Sequence, residues 1–453
     1  MNKVFKLVYN RARQTTMIVN EKTSSVQSGK KAAVTVAVAG ALMAFSGMSL
    51  AASHELTAPE TLTGQQNNAY LNKSELTVTK ATFEKLGNND ANGGAIWNTT
   101  GGTTAVTQSQ FVGNVASIGG AIGNGLGGVS VSIDGSTFTN NHASDGGAVA
   151  SFKKLTITNS VFEGNTAQKT LEGEQWTGQS IDDNPVGGGA VSLGSEATAT
   201  ITGATFKNNL SGFNGGAIAT RMAVNKKGTG SANNHADASL DVNATFEGNH
   251  SDVDGGALFN SFYQGNTAHG EGVTVTGQFI KNSAGGSGGA IYNDRHQDTN
   301  KKAAVMTVYG NTLFSGNHSE NFGGAIFNGG TLTVDGATFS DNTAKAVGGA
   351  ISNGTKSVMT TVKNATFTNN HSSDGGAIGN YSHLVVENAY FEGNTAQLGE
   401  LLVPEGTSFQ DNKLNRSSAC CLFSFDASPD TAGRAFGSAS LMPSSTSNIR
   451  LQA

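Results

Sequence analysis

The sequence predicts an all-β protein, a right-handed parallel β-helix of about twelve rungs, and three observations predict it. The tetrapeptide Gly-Gly-Ala-(Ile/Val/Leu) occurs ten times, starting at Gly93, Gly119, Gly146, Gly188, Gly215, Gly255, Gly288, Gly323, Gly348 and Gly375. The pattern Phe-x-x-Asn occurs eleven times, from Phe111-x-x-Asn114 and Phe138-x-x-Asn141 through Phe339-x-x-Asn342 and Phe367-x-x-Asn370 to Phe409-x-x-Asn412, and Phe83 begins a degenerate twelfth copy. Ahead of each Phe runs a stretch such as Leu332-Thr333-Val334-Asp335, whose alternation has the period of a strand with one buried face.

Each element has a physical reason. Phe and Gly-Gly alternate, eight to ten residues apart in nine of ten pairs, so strand, polar turn and short Ala-Ile strand form one unit. Compact copies recur at 24 to 28 residues, too short for a strand-helix repeat and right for one rung of a β-coil. Each Phe would stack on the Phe of the next rung. The Asn of Phe-x-x-Asn would bond to its counterpart one rung along, and a second Asn (98, 124, 260, 293, 328, 353, 380) would form a second ladder. Gly-Gly supplies positive φ and lets rungs approach where a Cβ would intrude. At ~4.8 Å per rung the rod would be roughly 55–60 Å long. Handedness follows from the crossover rule.

Composition agrees. Gly is 61 of 453 residues with only 5 Pro, which excludes collagen, and 13% charged residues exclude a disordered polyelectrolyte. The first 52 residues hold seven basic residues and one acid, leaving 21 basic against 32 acidic, a net of −11, in the remainder. So acidic a body has no general attraction for nucleic acid. Cys420 and Cys421 are adjacent, cannot staple distant segments, and leave the body of the chain to hold together by packing.

The front of the chain reads as an export signal. A basic region to residue 31 precedes an apolar run from Ala32 to Phe45, then small residues ending Leu50-Ala51-Ala52, so cleavage is expected after Ala51 or Ala52. Its first half, Met1-Asn2-Lys3-Val4-Phe5-Lys6-Leu7-Val8-Tyr9-Asn10 with Val19-Asn20-Glu21 following, resembles the extended signal peptide region of type V secreted proteins. The Phe-x-x-Asn and Gly-Gly-Ala-Ile repeat, over roughly residues 76–412, resembles that of the chlamydial polymorphic outer-membrane proteins, which are autotransporters. The resemblance implies passage by the Sec translocon and an outer-membrane pore, a β-helix passenger, and adhesion to host cells as the usual role.

Four insertions interrupt the rungs. One, residues 166–186, precedes its Gly-Gly; three, at 219–238, 259–272 and 292–304, follow it on consecutive rungs. Insertions at one point of successive rungs project from one corner. They would form a crest carrying Arg221, Lys226, Lys227, Tyr263, His269, Arg295, His296, Lys301 and Lys302, a basic, partly aromatic surface on an acidic rod and the candidate partner-binding site. Tolerated loop variation is the competing reading.

Catalytic and metal chemistry find little support in the residues. His142, His250, His318 and His371 each follow a repeat Asn, but neighbouring rungs carry Thr, Leu or Ser there, and ligands two rungs apart stand ~9.6 Å apart, too far to share an ion. Asp182-Asp183 is the one adjacent acidic pair and has no basic partner motif nearby. The expectation is a protein without cofactor or metal and not an enzyme. A glycan-active, pectin-lyase-like enzyme or a self-associating surface protein is the alternative. The expected domains are the signal (1–52), a cap or linker (53–75), the repeat passenger (76–412) and a tail (413–453). That tail changes composition abruptly, is expected to lack regular structure, and shows neither barrel strands nor a terminal aromatic residue. Truncation, frame-shift or a separate transporter would account for it. The expected setting is the cell surface, outer membrane or extracellular space, with a host-cell or matrix receptor, or like molecules on other cells, as partner.

Overall fold

The computed structural model describes residues 53–89, 91–168, 187–194, 196–220, 238–261, 272–294, 304–355 and 357–398, and short strands at 5–10, 15–20, 408–414, 423–425 and 449–452. The chain divides into two units, Met1–Gly47 and Met48–Ala453. In the first, Phe5–Asn10 pairs antiparallel with Thr15–Asn20, Phe5 opposite Asn20.

The second unit is a parallel β-helix. Its described strands form a broad sheet of 21, a second sheet of 13 and a short sheet of 9. One coil shows the plan: Ser130–Asp134 and Thr137–Thr139 lie in the broad sheet, His142–Ala143 in the short sheet and Val149–Ser151 in the second sheet. Each strand pairs in parallel with its counterpart one coil on, for example Ile133 with Ile157 and Phe138 with Phe162. Such stacking is consistent with the right-handed winding of parallel crossovers. Alternation does the folding: Val131 and Ile133 are buried while Ser132 and Asp134 face out.

Inside the coil, Phe83, Phe111, Phe138, Phe162, Phe206, Phe246, Phe279, Phe314, Phe339, Phe367 and Phe391 form one column of buried rings. Centroids lie 4.7 Å apart with planes 1° from parallel at Phe83–Phe111, and 4.8 Å and 3° at Phe339–Phe367. The separation is that of adjacent strands, so the sheet dictates a stacking that free rings would not choose. Tyr70 closes the N-terminal end edge-on, 6.2 Å from Phe83, and burial pushes its phenol pKa up, with Glu60 adding to the rise. Phe83, degenerate in sequence, is a full member of the column.

The Asn of Phe-x-x-Asn runs beside the rings from Asn114 through Asn141, Asn165, Asn209, Asn249, Asn282, Asn317, Asn342 and Asn370 to Asn394. Asn141 represents the members between the two ends. Its Nδ2 donates to Asn165 Oδ1 at 2.9 Å and to the Phe111 carbonyl at 3.0 Å, while its Oδ1 accepts from the Nδ2 and backbone N–H of Asn114 at 2.9 and 3.0 Å. All four bonds that an amide side chain can make are made, at a site with no solvent exposure. The residue before each ladder Asn is left-handed, with φ of 53° at Asn140, 51° at Asn208 and 56° at Asp341, and Gly in coils such as that of Gly164. That is why the third place of Phe-x-x-Asn is filled by Gly, Asn, Asp or Lys.

Gly-Gly divides its labour. Gly288 has φ 68°, and a Cβ on Gly289 would stand 2.1 Å from the Gly324 carbonyl oxygen. The first glycine turns the chain, and the second lets the next coil close on it.

Three boundaries differ from expectation. Residues 53–75 were assigned to a cap or linker, but Ser53–Leu56 and Ala69–Asn72 pair within the second sheet and Glu60–Gln66 joins the broad sheet, so coiling starts directly after the leader. Phe409 does not continue the aromatic column in backbone register: it pairs with Val386, and Leu414 lies opposite Phe391. The Phe-x-x-Asn spacing at 409–412 is therefore five residues out of phase. In the tail, expected to lack regular structure, Phe423–Phe425 pairs parallel with Ile378–Asn380 and Ile449–Gln452 pairs antiparallel with Ser408–Leu414.

The inward row of the short sheet is made of small residues: Ala143, Ala167, Ser211, Ser251, Ala284, Ser319 and Ala344. The Ser251 and Ser319 hydroxyls are buried without a hydrogen-bond partner. Since alanine fills the same place in neighbouring coils, Ser319→Ala is expected to be neutral or stabilising by up to about 1 kcal/mol, removing an unsatisfied group without opening a cavity. A lower urea midpoint for this variant would contradict the assignment.

Candidate interaction surface

Three insertions leave the coil at one corner. Ile218–Thr220, Leu258–Asn260 and Ile291–Asn293 end side by side in the second sheet, with Leu258 opposite Ile218 and Ile291, and each chain re-enters the broad sheet at Ser239–Glu247, Val273–Ile280 and Val305–Tyr309. The re-entry strands are also in register, Leu240 with Val273 and Val273 with Met306. On the next coil the same corner is crossed directly from Asn328 to Thr331. The fourth insertion lies elsewhere, between the short-sheet strand Thr166–Ala167 and the second-sheet strand Val191–Leu193.

The crest residues Arg221, Lys226, Lys227, Tyr263, His269, Arg295, His296, Lys301 and Lys302 lie outside the described residues, as do Asp182 and Asp183. What is described is the footing. Phe259, Tyr292 and Phe327 occupy the middle, outward position of three consecutive second-sheet strands, stacked at 5.3 and 4.8 Å, with Phe322 tilted against Phe327 at 6.3 Å. Ala219 continues the row, and all four are buried. Beside them the second Asn ladder runs Asn260 to Asn293 and Asn293 to Asn328, both at 2.8 Å, and Thr220 Oγ1 donates to Asn260 Oδ1 at 3.2 Å. Ser261, first past the strand, donates through its N–H to Thr220 Oγ1 and through its hydroxyl to the Thr220 carbonyl, each at 2.7 Å. The second and third insertions thus spring from strands braced by stacked rings on one face and amides on the other, while the first springs from a strand that continues the row with Ala219 and bonds to it through Thr220. This aromatic row escaped the sequence reading, although Leu-Phe-Asn, Ile-Tyr-Asn and Ile-Phe-Asn in three consecutive copies carried the signal.

The repeat histidines occupy the outward row of the short sheet. Nδ1 of His250, His318 and His371 lies 2.8 Å from Ser283 Oγ, Thr343 Oγ1 and Thr395 Oγ1 on the following coil. His142, whose burial lowers its pKa, pairs in register with Thr166. Among the described residues no three His, Cys, Asp or Glu side chains converge on a point. Ion pairs link exposed coils: Lys363 to Glu387 at 2.8 Å, and Lys345 to Glu320, whose carboxyl pKa is lowered chiefly by the Lys345 hydrogen bond. That contribution is present at neutral pH and lost as pH falls through the acidic range, and exposure keeps it small.

Comparison with known proteins bears on both ends of the argument. Residues 1–52 match the Extended Signal Peptide of Type V secretion system. Residues 135–151, 243–261, 276–294, 311–329, 336–354 and 364–381 match the Chlamydia polymorphic membrane protein repeat. Each matched repeat spans the ladder turn and the second-sheet strand of one coil. No curated protein matches the chain. The crystal structure of bacteriophage CBA120 tailspike protein 3 is similar at 12% identity and a TM-score of 0.29, over 85% of this chain and 59% of that one. The leader matches that of type V secretion proteins, which implies export through the Sec and outer-membrane translocation machinery to the outer membrane or cell surface. With its coils and repeats, the chain matches an autotransporter passenger of polymorphic-membrane-protein type.

Proposed function

We propose that the protein is a surface adhesin or related interaction protein, working without catalysis or cofactor. The stacked coils are a rigid spacer, and the loops at one corner of three consecutive coils make the contact with a host-cell or matrix receptor. The observation that carries this reading is the shared footing of those loops. Three insertions rooted in adjacent, in-register strands along the Ala219–Phe259–Tyr292 row, which Phe327 extends, leave the coil side by side at one corner. A bare tolerance for insertion does not call for a braced base.

Replacing residues 221–237, 262–271 and 295–303 with turns like that at Asn328–Thr331 should abolish binding to cells or matrix. The β-rich circular dichroism should stay unchanged, since the described coil strands lie outside these segments. Retained binding by the folded variant would overturn the proposal. Asp182→Ala with Asp183→Ala is expected to alter no glycan turnover; loss of such turnover would favour the glycan-active reading.

A further inference from the structure

We propose that the solenoid is built as two cooperative blocks, residues 53–151 and 238–398, joined by a weaker seam in the coils of Phe162 and Phe206. The inner corner of the second sheet carries the evidence. Asn residues there tie one coil to the next: Asn72 Nδ2 donates to Asn98 Oδ1 at 3.0 Å and to the Thr103 carbonyl at 2.8 Å, and Asn260 to Asn293 at 2.8 Å and the Val305 carbonyl at 3.3 Å. The row then breaks. Asn124 reaches Ser151 Oγ at 3.2 Å, but the Ser151 hydroxyl donates within its own coil to Lys153. The next place is the buried, apolar Leu193, and bonding resumes at Thr220.

Two further observations fall on the same coils. The Phe162 coil must close around residues 169–186 and the Phe206 coil around 221–237, the two longest such segments, against 262–271 and 295–303 in the next two coils, so these two close at the higher entropy cost. The widest step of the aromatic column, 5.0 Å at Phe206–Phe246, also falls there, against 4.7 Å in the first three steps; the 4.9 Å of Phe162–Phe206 recurs at Phe367–Phe391. Backbone pairing and the first Asn ladder continue through, Val149 to Val191 to Ile218 and Asn165 to Asn209 at 3.0 Å, so the seam loosens the coupling without ending the fold. In a repeat array, stability is a sum of coil and interface terms, and a run of weak interfaces sets the border between units that open separately.

Native-state hydrogen exchange on the full chain tests this. Buried amides of 53–151 and 238–398 should fall into two sets whose opening constants differ by about tenfold, the scale of one or two missing hydrogen bonds. Ser151→Asn with Leu193→Asn and Thr220→Asn, which restores the row, should merge the sets. Asn328→Leu, which breaks the row elsewhere, should create a new border near residue 328. One uniform set in the wild type, or a border that neither variant moves, overturns the proposal. If the triple variant does not fold, the Asn328→Leu result decides alone.

Discussion

Asn209→Asp is expected to lower the stability of the coils around it by about 3–5 kcal/mol at neutral pH. The native amide donates from Nδ2 to the Phe162 carbonyl and to Asn249 Oδ1, both at 2.9 Å, and accepts from Asn165 Nδ2 at 3.0 Å. A carboxylate keeps the accepted bond but sets an anionic oxygen against two carbonyl oxygens, at a position 1% exposed. The folded state would bind a proton to relieve this, raising the new carboxyl's pKa above its unfolded value. The penalty is then smallest below the unfolded carboxylate pKa of ~3.9, grows as pH rises, and is complete above the folded pKa. Thermal or urea unfolding at pH 4 and pH 7.5 measures the effect. A variant equally stable at both would contradict the four-bond description of the ladder.

Phe206→Ala has a comparable expected cost, about 3–5 kcal/mol, from lost burial and from the void left between two rings that the sheets hold in place. Phe162 and Phe246 stand 4.9 and 5.0 Å away on either side, each fixed by its own strand, so neither can move in to fill the space. Phe206→Leu should cost less, because the branched side chain restores part of the volume. Urea unfolding of the two variants checks the order; equal midpoints would mean that the column relaxes more readily than stacked strands allow. Since a solenoid can open coil by coil, exchange at the amides of the Phe162 and Phe246 coils is the more local readout.

Repetition explains what the residues disclosed in advance. Phe, Asn and Gly-Gly recur because each coil presents them with the same environment, so the column, the first ladder and the glycine contacts could be read from spacing. The left-handed residue ahead of each ladder Asn was harder to see, because Gly, Asn, Asp and Lys all serve there and no single letter repeats. Phe409 misled for the opposite reason: its spacing to Asn412 is that of the repeat, but the pairing of Val386 with Phe409 puts it out of phase, and register is a property of two strands together. The first coil was missed because residues 53–72 contain neither Phe nor Gly-Gly, although Leu62 and Tyr70 supply the buried face. In the candidate site, the common corner of the insertions was legible from their place after Gly-Gly. The stacked Phe259, Tyr292 and Phe327 were not, because outward positions in a strand are ordinarily polar.

The Asn ladder has a direction. From Asn114 to Asn370 every Nδ2 gives one proton to the Oδ1 of the next coil and the other to the Phe carbonyl of the preceding coil, and every Oδ1 looks back toward the N-terminal one. The two faces of a partly wound coil are therefore unlike at this turn: toward the C-terminus stand an amide proton, the Asn N–H and a Phe carbonyl, toward the N-terminus an Oδ1 and the other amide proton, and the aligned amides polarise each other along the column. A segment arriving on the C-terminal face must bring an Asn whose Oδ1 accepts two bonds and whose Nδ2 reaches the Phe carbonyl; one arriving on the N-terminal face must bring the complementary set. Winding thus proceeds on two chemically distinct templates, and a stray strand that fits one of them is a poor fit for the other.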